Sequence, residues 1–377
     1  MHALHMKIYA DNAATTKLDA DAFAAMIPWL TEDFANASQP YFFAHKPKAA
    51  LKQAREIIAA CINAESQEIF FTSGGTESDN HAVKGIAFTG HGRKNFVTSA
   101  IEHKAVLNSC KALENFGHRV TYLQPDESGT VTPKILSAHV AADTALVSVM
   151  FANNEFGTIQ PIKELCEISH AQGALFHTDA VQAVGHVALD VKNLGVDMLS
   201  ASAHKFNGPK GIGFLYVRRG VTLSAYLDGG GQEGGLRGGT ENIAAIVGMS
   251  VALQKNISAL EKNRQHLREL DGLLMRELVA NKIPHVRNGS ADCLPGLISL
   301  SFNGMDGELI LHRLDLAGIS ISTGSACDGR SAKISHVLKA LNMPPRLAKG
   351  TIRISLGKDN TAQDVQKIVA ALKKIIS

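Results

Sequence analysis

Short apolar runs alternate with stretches of helical period through the first two thirds of the chain. Residues 68–72 (Glu-Ile-Phe-Phe-Thr) read as a buried strand, followed by a glycine turn and a helix over 77–88. A strand at 95–98 leads into a helix over 103–116 that Gly117 closes, because glycine takes the left-handed conformation after a helix without steric cost. Further strands fall at 120–123, 145–150, 174–177, 197–200 and 213–217, with a helix over 162–172 between them. Near-continuous Val, Ile, Leu and Phe runs separated by helices predict an α/β architecture, a mostly parallel sheet with helices on both faces. Ligands of such sheets sit at the carboxyl ends of the strands, so chemically useful residues are expected just after them. From 242 to 280 a charged, proline-free helical pattern predicts a connector. Beyond it, strands at 297–301, 319–321 and 351–355 and helices around 308–316, ending near 341 and starting at 362 predict a smaller α+β unit. The resulting division is a large domain over 16–260 and a small domain made of 1–15 and 261–377.

Length and composition add boundaries to this picture. A chain of 377 residues suits two domains, and 45% hydrophobic with 19% charged residues suits a substantial core. The 38 basic and 35 acidic residues are spread along the chain, so no basic footprint for nucleic acid is present. No run of about 18 apolar residues spans a membrane, and the N-terminus lacks the apolar core of a signal peptide. The five cysteines are odd in number, far apart and without a CxxC pair. They read as thiols of a reducing compartment, with neither a disulfide framework nor a metal site, and the cytoplasm is the expected location.

The chemistry starts at Ser202-Ala203-His204-Lys205-Phe206-Asn207-Gly208, where a lysine directly follows a strand and a histidine. A lysine amine that loses its proton in a low-dielectric pocket attacks carbonyls and forms a Schiff base. Alone, this is a solvated loop lysine. Asp179, at the end of another strand, has the chemistry to pair with a pyridinium nitrogen, although aspartate there also caps helices well. Thr72-Ser73-Gly74-Gly75-Thr76-Glu77 joins a strand to a helix N-terminus, which suits a phosphate, and lacks the spacing of a nucleotide-binding P-loop. His103 and Asn154 also follow strands, where a flat ring would meet an imidazole and an amide. Each is weak alone; five loops after five strands of one sheet converge on one edge.

Together the segments SGGTESDN (73–80), EHKAV (102–106), NNEFG (153–157), HTDAVQ (177–182), SAHKFNGPKGIGFLYVR (202–218), GGGQEGGLRGGTEN (229–242), STGSAC (322–327) and TIRISLG (351–357), with DNAATT (11–16), resemble the cysteine desulfurases. These belong to the class V aminotransferase-like group of fold-type I enzymes that use pyridoxal 5'-phosphate. The resemblance runs nearly the full length and in order. It implies that Lys205 holds the cofactor, Asp179 pairs with its ring nitrogen and His103 stacks on the ring and works in acid/base steps. Asn154 and Gln182 are implied at the phenolic oxygen. Gly75, Thr76, Ser202 and His204 are implied at the phosphate, with Thr240 reaching it from the second subunit of a homodimer. Arg353 is implied at the substrate carboxylate, a task suited to its bidentate fork. Cys327, as a thiolate, is implied to take the sulfur of L-cysteine as a persulfide while L-alanine leaves, for an acceptor protein in iron–sulfur or other sulfur-transfer pathways. Cys61, Cys110, Cys166 and Cys293 read as packing residues.

Some positions depart from the family pattern. Asp328 and Arg330 follow Cys327 where small hydroxyl residues are usual, and they push its thiol in opposite directions. Residues 36–45 replace the usual GNPSSxH pattern, Gly75 stands for the commoner alanine and Gln232 for a common histidine. The last helix ends at the last residue, so the longer tail that docks a scaffold protein in some relatives is not expected. The alternatives are a selenocysteine lyase, an aminotransferase of the same group, which needs no thiol, and a non-enzymatic sulfur-carrier platform on the same fold.

Overall fold

A computed structural model of the protein describes residues 7–89, 92–323 and 334–376. A short strand β1 (Ile8–Tyr9) precedes the seven strands of the central sheet, β2 (Ile69–Thr72), β3 (Asn95–Ser99), β4 (Arg119–Leu123), β5 (Thr144–Ser148), β6 (Leu175–Asp179), β7 (Met198–Ser202) and β8 (Gly213–Val217). Their order is β2-β8-β7-β6-β5-β3-β4. β8 runs antiparallel to both of its neighbours, while the pairs β3–β4, β3–β5, β5–β6 and β6–β7 are parallel. The sheet is therefore mixed, with its other six strands pointing one way. β5, β7 and β8 are buried along their whole length, which is why they read as unbroken apolar runs rather than alternating ones.

The helices explain themselves locally. In Lys104–Glu114 the buried positions Ala105, Val106, Ser109, Cys110 and Leu113 recur at helical spacing, and the His103 imidazole caps the first turn. Gly117 has φ 78°, the left-handed conformation expected of it. The 242–280 segment is two helices, Ile243–Ser258 and Leu260–Ala280, bent by 70° at Ala259. A sequence with good helix formers on both sides of the break carries no signal for it.

The second core gathers Leu274, Ile298, Leu300, Ile352, Ile354 and Ile368 from β10 (Leu297–Ser301), β13 (Thr351–Ser355) and the helices Leu260–Ala280 and Ala362–Ile376. Here the predicted strand at 319–321 divides into β11 (Ile319–Ser320), which pairs with β1, and β12 (Ser322–Thr323), which pairs with β13. β1 and β9 (Val286–Asn288) were not expected, since two or three residues carry no readable period. The N-terminal segment starts in this second unit and crosses to the first: the Thr16 amide donates to the His204 carbonyl at 2.9 Å, and the Asn207 amide donates to Thr16 Oγ1 at 2.8 Å.

Asn256, buried on the Ile243–Ser258 helix, donates from Nδ2 to the Phe206 carbonyl at 2.7 Å and so braces the turn that follows Lys205. Replacing Asn256 by Leu strands that buried carbonyl, and the expected loss of stability is about 1–3 kcal/mol, read from the urea midpoint. An unchanged midpoint would show that the contact contributes nothing.

Candidate active site

The loops after β2, β3, β5, β6 and β7 open into one cavity of about 750 Å³. Among its lining residues are Thr76, His103, Asn154, Asp179, Ser202 and Lys205, together with Gly75, Gln182, His204 and, from β13, Arg353. Of the residues expected at the site, Thr240 is exposed and does not line the cavity of its own chain. Cys327, with Asp328 and Arg330, lies outside the described residues, whereas Ser322 and Thr323 just before that segment line the cavity.

One end of the cavity is built to receive an anion. Gly74 has φ 148°, a conformation that favours glycine, and it starts the Gly75–Ala87 helix, two residues earlier than the sequence pattern suggests. The first helical bond is from the Ser78 amide to the Gly74 carbonyl, so the amides of Gly75, Thr76 and Glu77 donate to no group among the described residues. Ser202 and His204 stand beside them at the cavity wall. Burial, with the Lys205 and Lys210 charges adding to it, holds His204 down to about 4, so its imidazole is neutral at physiological pH. Gly75 has a local reason: a Cβ there would sit 2.5 Å from Val181 Cγ2, so the valine occupies space that alanine at position 75 needs.

The other end is acidic and desolvated. One ligating atom each from Asp79, His103 and Asp179 lie within 4.8 Å of one another, with both aspartates buried. Asp179 Oδ1 accepts the Val181 amide at 2.9 Å. Asp79 Oδ1 is buried without a hydrogen-bond partner among the described residues; His177 Nε2 lies 3.8 Å away. Burial pushes His177 down to about 3, so this imidazole is neutral and offers Asp79 no counter-charge. Burial raises both aspartates; Asp179 raises Asp79 further, while His103 and Lys205 favour the ionised form of Asp179. Two buried carboxylates this close need a cation or a proton between them. A protonated ring nitrogen is such a cation.

Lys205 ends the turn Ala203–Lys205 directly after β7, and its Nζ donates to the carbonyls of Ala13 at 2.5 Å and Ala14 at 2.9 Å. Gln182 Nε2 shares the Ala13 carbonyl at 3.0 Å. The Arg353 guanidinium, almost fully buried, pairs with Asp11 at 2.7 Å and donates to the Asn154 carbonyl at 2.7 Å, leaving its Nε without a partner among the described residues. His103 Nδ1 accepts the Ala105 amide at 3.2 Å, which leaves Nε2 as the ring nitrogen that can carry or pass a proton toward the cavity.

Three acids were not singled out from the sequence. Asp79 lies one turn after Thr76 in SGGTESDN, Glu102 precedes His103, and Glu155 follows Asn154. Helical spacing from Thr76 was a usable signal for Asp79. Glu102 accepts Ser99 Oγ at 2.6 Å and the Met150 amide at 2.8 Å, and burial still pushes it up to about 8. Its charged form is therefore disfavoured in the folded chain and unhindered in the unfolded one. That contribution to stability is complete below the ordinary carboxylate range and is lost as pH rises through about 8. The buried histidines act below their ordinary value of about 6.5 and are silent above pH 7. The melting temperature of Glu102→Gln minus that of the cofactor-free parent should therefore rise between pH 7 and pH 9. A difference that is flat with pH would mean that Glu102 titrates normally.

The class-V aminotransferase family model matches residues 8–368 of the chain. The cysteine desulfurase IscS of Clostridium botulinum is 45% identical over 378 aligned residues, covering 99% of this chain and 95% of that protein. Among solved structures, a NifS-like protein superimposes with a TM-score of 0.93 at 37% identity, covering 98% of this chain and 99% of that one. A second, SspA in complex with cysteine, gives 0.83 at 37% identity over 94% of this chain and all of its own.

Proposed function

This chain belongs to the class-V aminotransferase family and is one of its cysteine desulfurases, and we propose that it uses pyridoxal 5'-phosphate to move the sulfur of L-cysteine onto Cys327. The observation that carries the cofactor assignment is the opposed chemistry of the cavity ends: free helix amides with Ser202 at one, and the unpartnered Asp79 Oδ1 beside Asp179 at the other. A phosphate suits the first and a protonated pyridine nitrogen the second. Gly75, Thr76, Ser202 and His204 would hold the phosphate, and Asp179 the ring nitrogen. His103 would face the ring, Asn154 and Gln182 its phenolic oxygen, and Lys205 its aldehyde carbon. When bound, this group supplies an electron-accepting ring that makes the α-proton of an attached amino acid labile.

The chain's own residues then divide the work. Arg353 holds the substrate carboxylate, and its pairing with Asp11 and the Asn154 carbonyl fixes the guanidinium plane. Lys205 Nζ, which the Ala13 and Ala14 carbonyls hold at the cavity wall, would be the base for the α-proton. His103 holds a proton at Nε2 for transfer at the ring face. Cys327, as a thiolate, attacks the substrate sulfur. A sulfur–sulfur bond forms, the substrate carbon–sulfur bond breaks, and L-alanine leaves with the protons returned to its carbon skeleton. The outcome is a persulfide on Cys327, which an acceptor protein or a thiol reductant consumes. A cysteine-bound relative at 37% identity supports L-cysteine as the substrate.

We place Thr240 at the phosphate of a second copy, since it stands away from its own cavity, which makes the working form a homodimer. A reducing, cytoplasmic setting suits persulfide chemistry and the thiols of Cys61, Cys110, Cys166 and Cys293, all of which are unpaired.

The test is to add L-cysteine and a thiol reductant to the pyridoxal phosphate-loaded protein and measure sulfide and alanine. Cys327→Ala should still bind cofactor and substrate but stop releasing sulfide; undiminished release would remove Cys327 from its role. Lys205→Ala should lose the visible absorbance of the lysine-bound cofactor and cut turnover by about 10²–10⁴-fold. Absorbance that persists unchanged would assign the cofactor to another amine.

A further inference from the structure

Three consecutive residues, Ser335, His336 and Val337, stand where the described chain resumes after residues 324–333, and each docks on a loop of the active site. Ser335 Oγ donates to Glu155 Oε1 at 2.7 Å, and the same oxygen accepts the Val337 amide at 3.1 Å, capping the helix His336–Ala340. His336 Nε2 lies 3.0 Å from the carbonyl oxygen of Glu102, the residue before His103. Val337 packs in a small core with Ile101, Met150 and Phe156. Between them these contacts seat the start of the helix on the loops after β3 and β5, which carry His103 and Asn154.

Glu155 is the unusual member. Its side chain is buried beside Asn154 at the cavity wall, and Oε2 has no hydrogen-bond partner among the described residues. A buried carboxyl that makes one side-chain bond among the described residues, to Ser335, is costly to retain for packing alone, because an apolar side chain would avoid its desolvation. We propose that Glu155 is a positioning residue for the desulfurase reaction: through Ser335 it holds the start of the His336–Ala340 helix on the loops that carry His103 and Asn154, and so keeps those two side chains in place. The proposal rests on the cysteine desulfurase reading and adds a residue to it.

The bond is also proton-sensitive. Burial pushes Glu155 up to about 7, with the Ser335 hydroxyl and then the charges of Arg353 and Lys104 holding it back. The charged groups facing it are Arg353 from β13, which is itself paired with Asp11, and Lys104 from the Lys104–Glu114 helix. A hydroxyl donates more strongly to a carboxylate than to the neutral acid, so the anchor tightens as pH rises through about 7.

The test uses Glu155→Ala, Glu155→Gln, Ser335→Ala and the double Ala variant as loaded enzyme, with alanine formation and hydrogen exchange of the peptide over 334–343 as readouts. Loss of a bond to a charged group predicts a kcat for alanine formation lowered roughly ten- to hundredfold in both single Ala variants, with KM for L-cysteine nearly unchanged. Exchange in the peptide should be faster in both, after correction for intrinsic rates. The double variant should be no worse than either single one, because both remove the same bond. Glu155→Gln, whose amide oxygen still accepts from Ser335, should recover most of kcat and lose the parent's rise in kcat through pH 7. A raised KM at unchanged kcat would place Glu155 on the substrate instead, and unaltered exchange or additive losses would equally overturn the anchor. If the parent itself forms no alanine, the desulfurase reading fails, and hydrogen exchange still decides whether Glu155 holds Ser335.

Discussion

Parallel strand direction is the constraint on which the rest of the molecule depends. Six strands of the central sheet run one way, so the loops that follow them leave from a common edge, and five of those loops open into one cavity. Residues far apart in sequence, from Gly75 to Lys205, meet there without any local contact requiring it. β8 alone runs back, and it lies between β7 and β2. The loop carrying Lys205 and the helix start at Gly75 thus face each other across a single intervening strand. A sheet with ordinary hairpins would have sent half of these loops to the opposite edge.

The cavity so formed is electrically divided. Helix amides without acceptors among the described residues make one end receptive to an anion, and two buried aspartates make the other receptive to a cation. Between them, the N-terminal segment supplies carbonyls rather than side chains: Ala13 and Ala14 accept from Lys205, and Ala13 also from Gln182. The same segment contributes Asp11 to Arg353 and pairs Thr16 with His204 and Asn207. One short stretch of chain thereby orients the lysine, the arginine and the turn that follows β7.

Much of this was legible in the sequence because its cause is local. Buried strands read as apolar runs, Gly117 as a helix stop, and the post-strand placement of Gly75, His103, Asn154, Asp179 and Lys205 followed from strand order alone. What escaped has long-range causes. β1 and β9 exist only because β11 and β10 lie beside them, and two- or three-residue strands have no period to detect. The bend at Ala259 depends on the two helices packing against different cores. Asp79, Glu102 and Glu155 looked like ordinary acids next to more suggestive neighbours, since burial, the property that makes them unusual, is absent from a string of letters.

Those three acids share a logic. Each lies next to a group assigned a direct role: Asp79 by Asp179, Glu102 by His103, and Glu155 by Asn154 and Arg353. Burial raises all three, with Glu155 brought to about 7 and Glu102 to about 8. Were all of them ionised, the cavity would hold a concentrated negative field in a low dielectric beside Arg353. In their neutral forms they still accept hydrogen bonds, so the Ser99, Met150 and Ser335 contacts survive without that repulsion. Asp179 has cationic neighbours in His103 and Lys205, and Glu155 in Arg353 and Lys104, that favour their charged forms. Asp179 thus keeps its charge beside His103 and Lys205, Asp79 and Glu102 give the site hydrogen-bonding shape with little charge, and Glu155 changes its charge near pH 7.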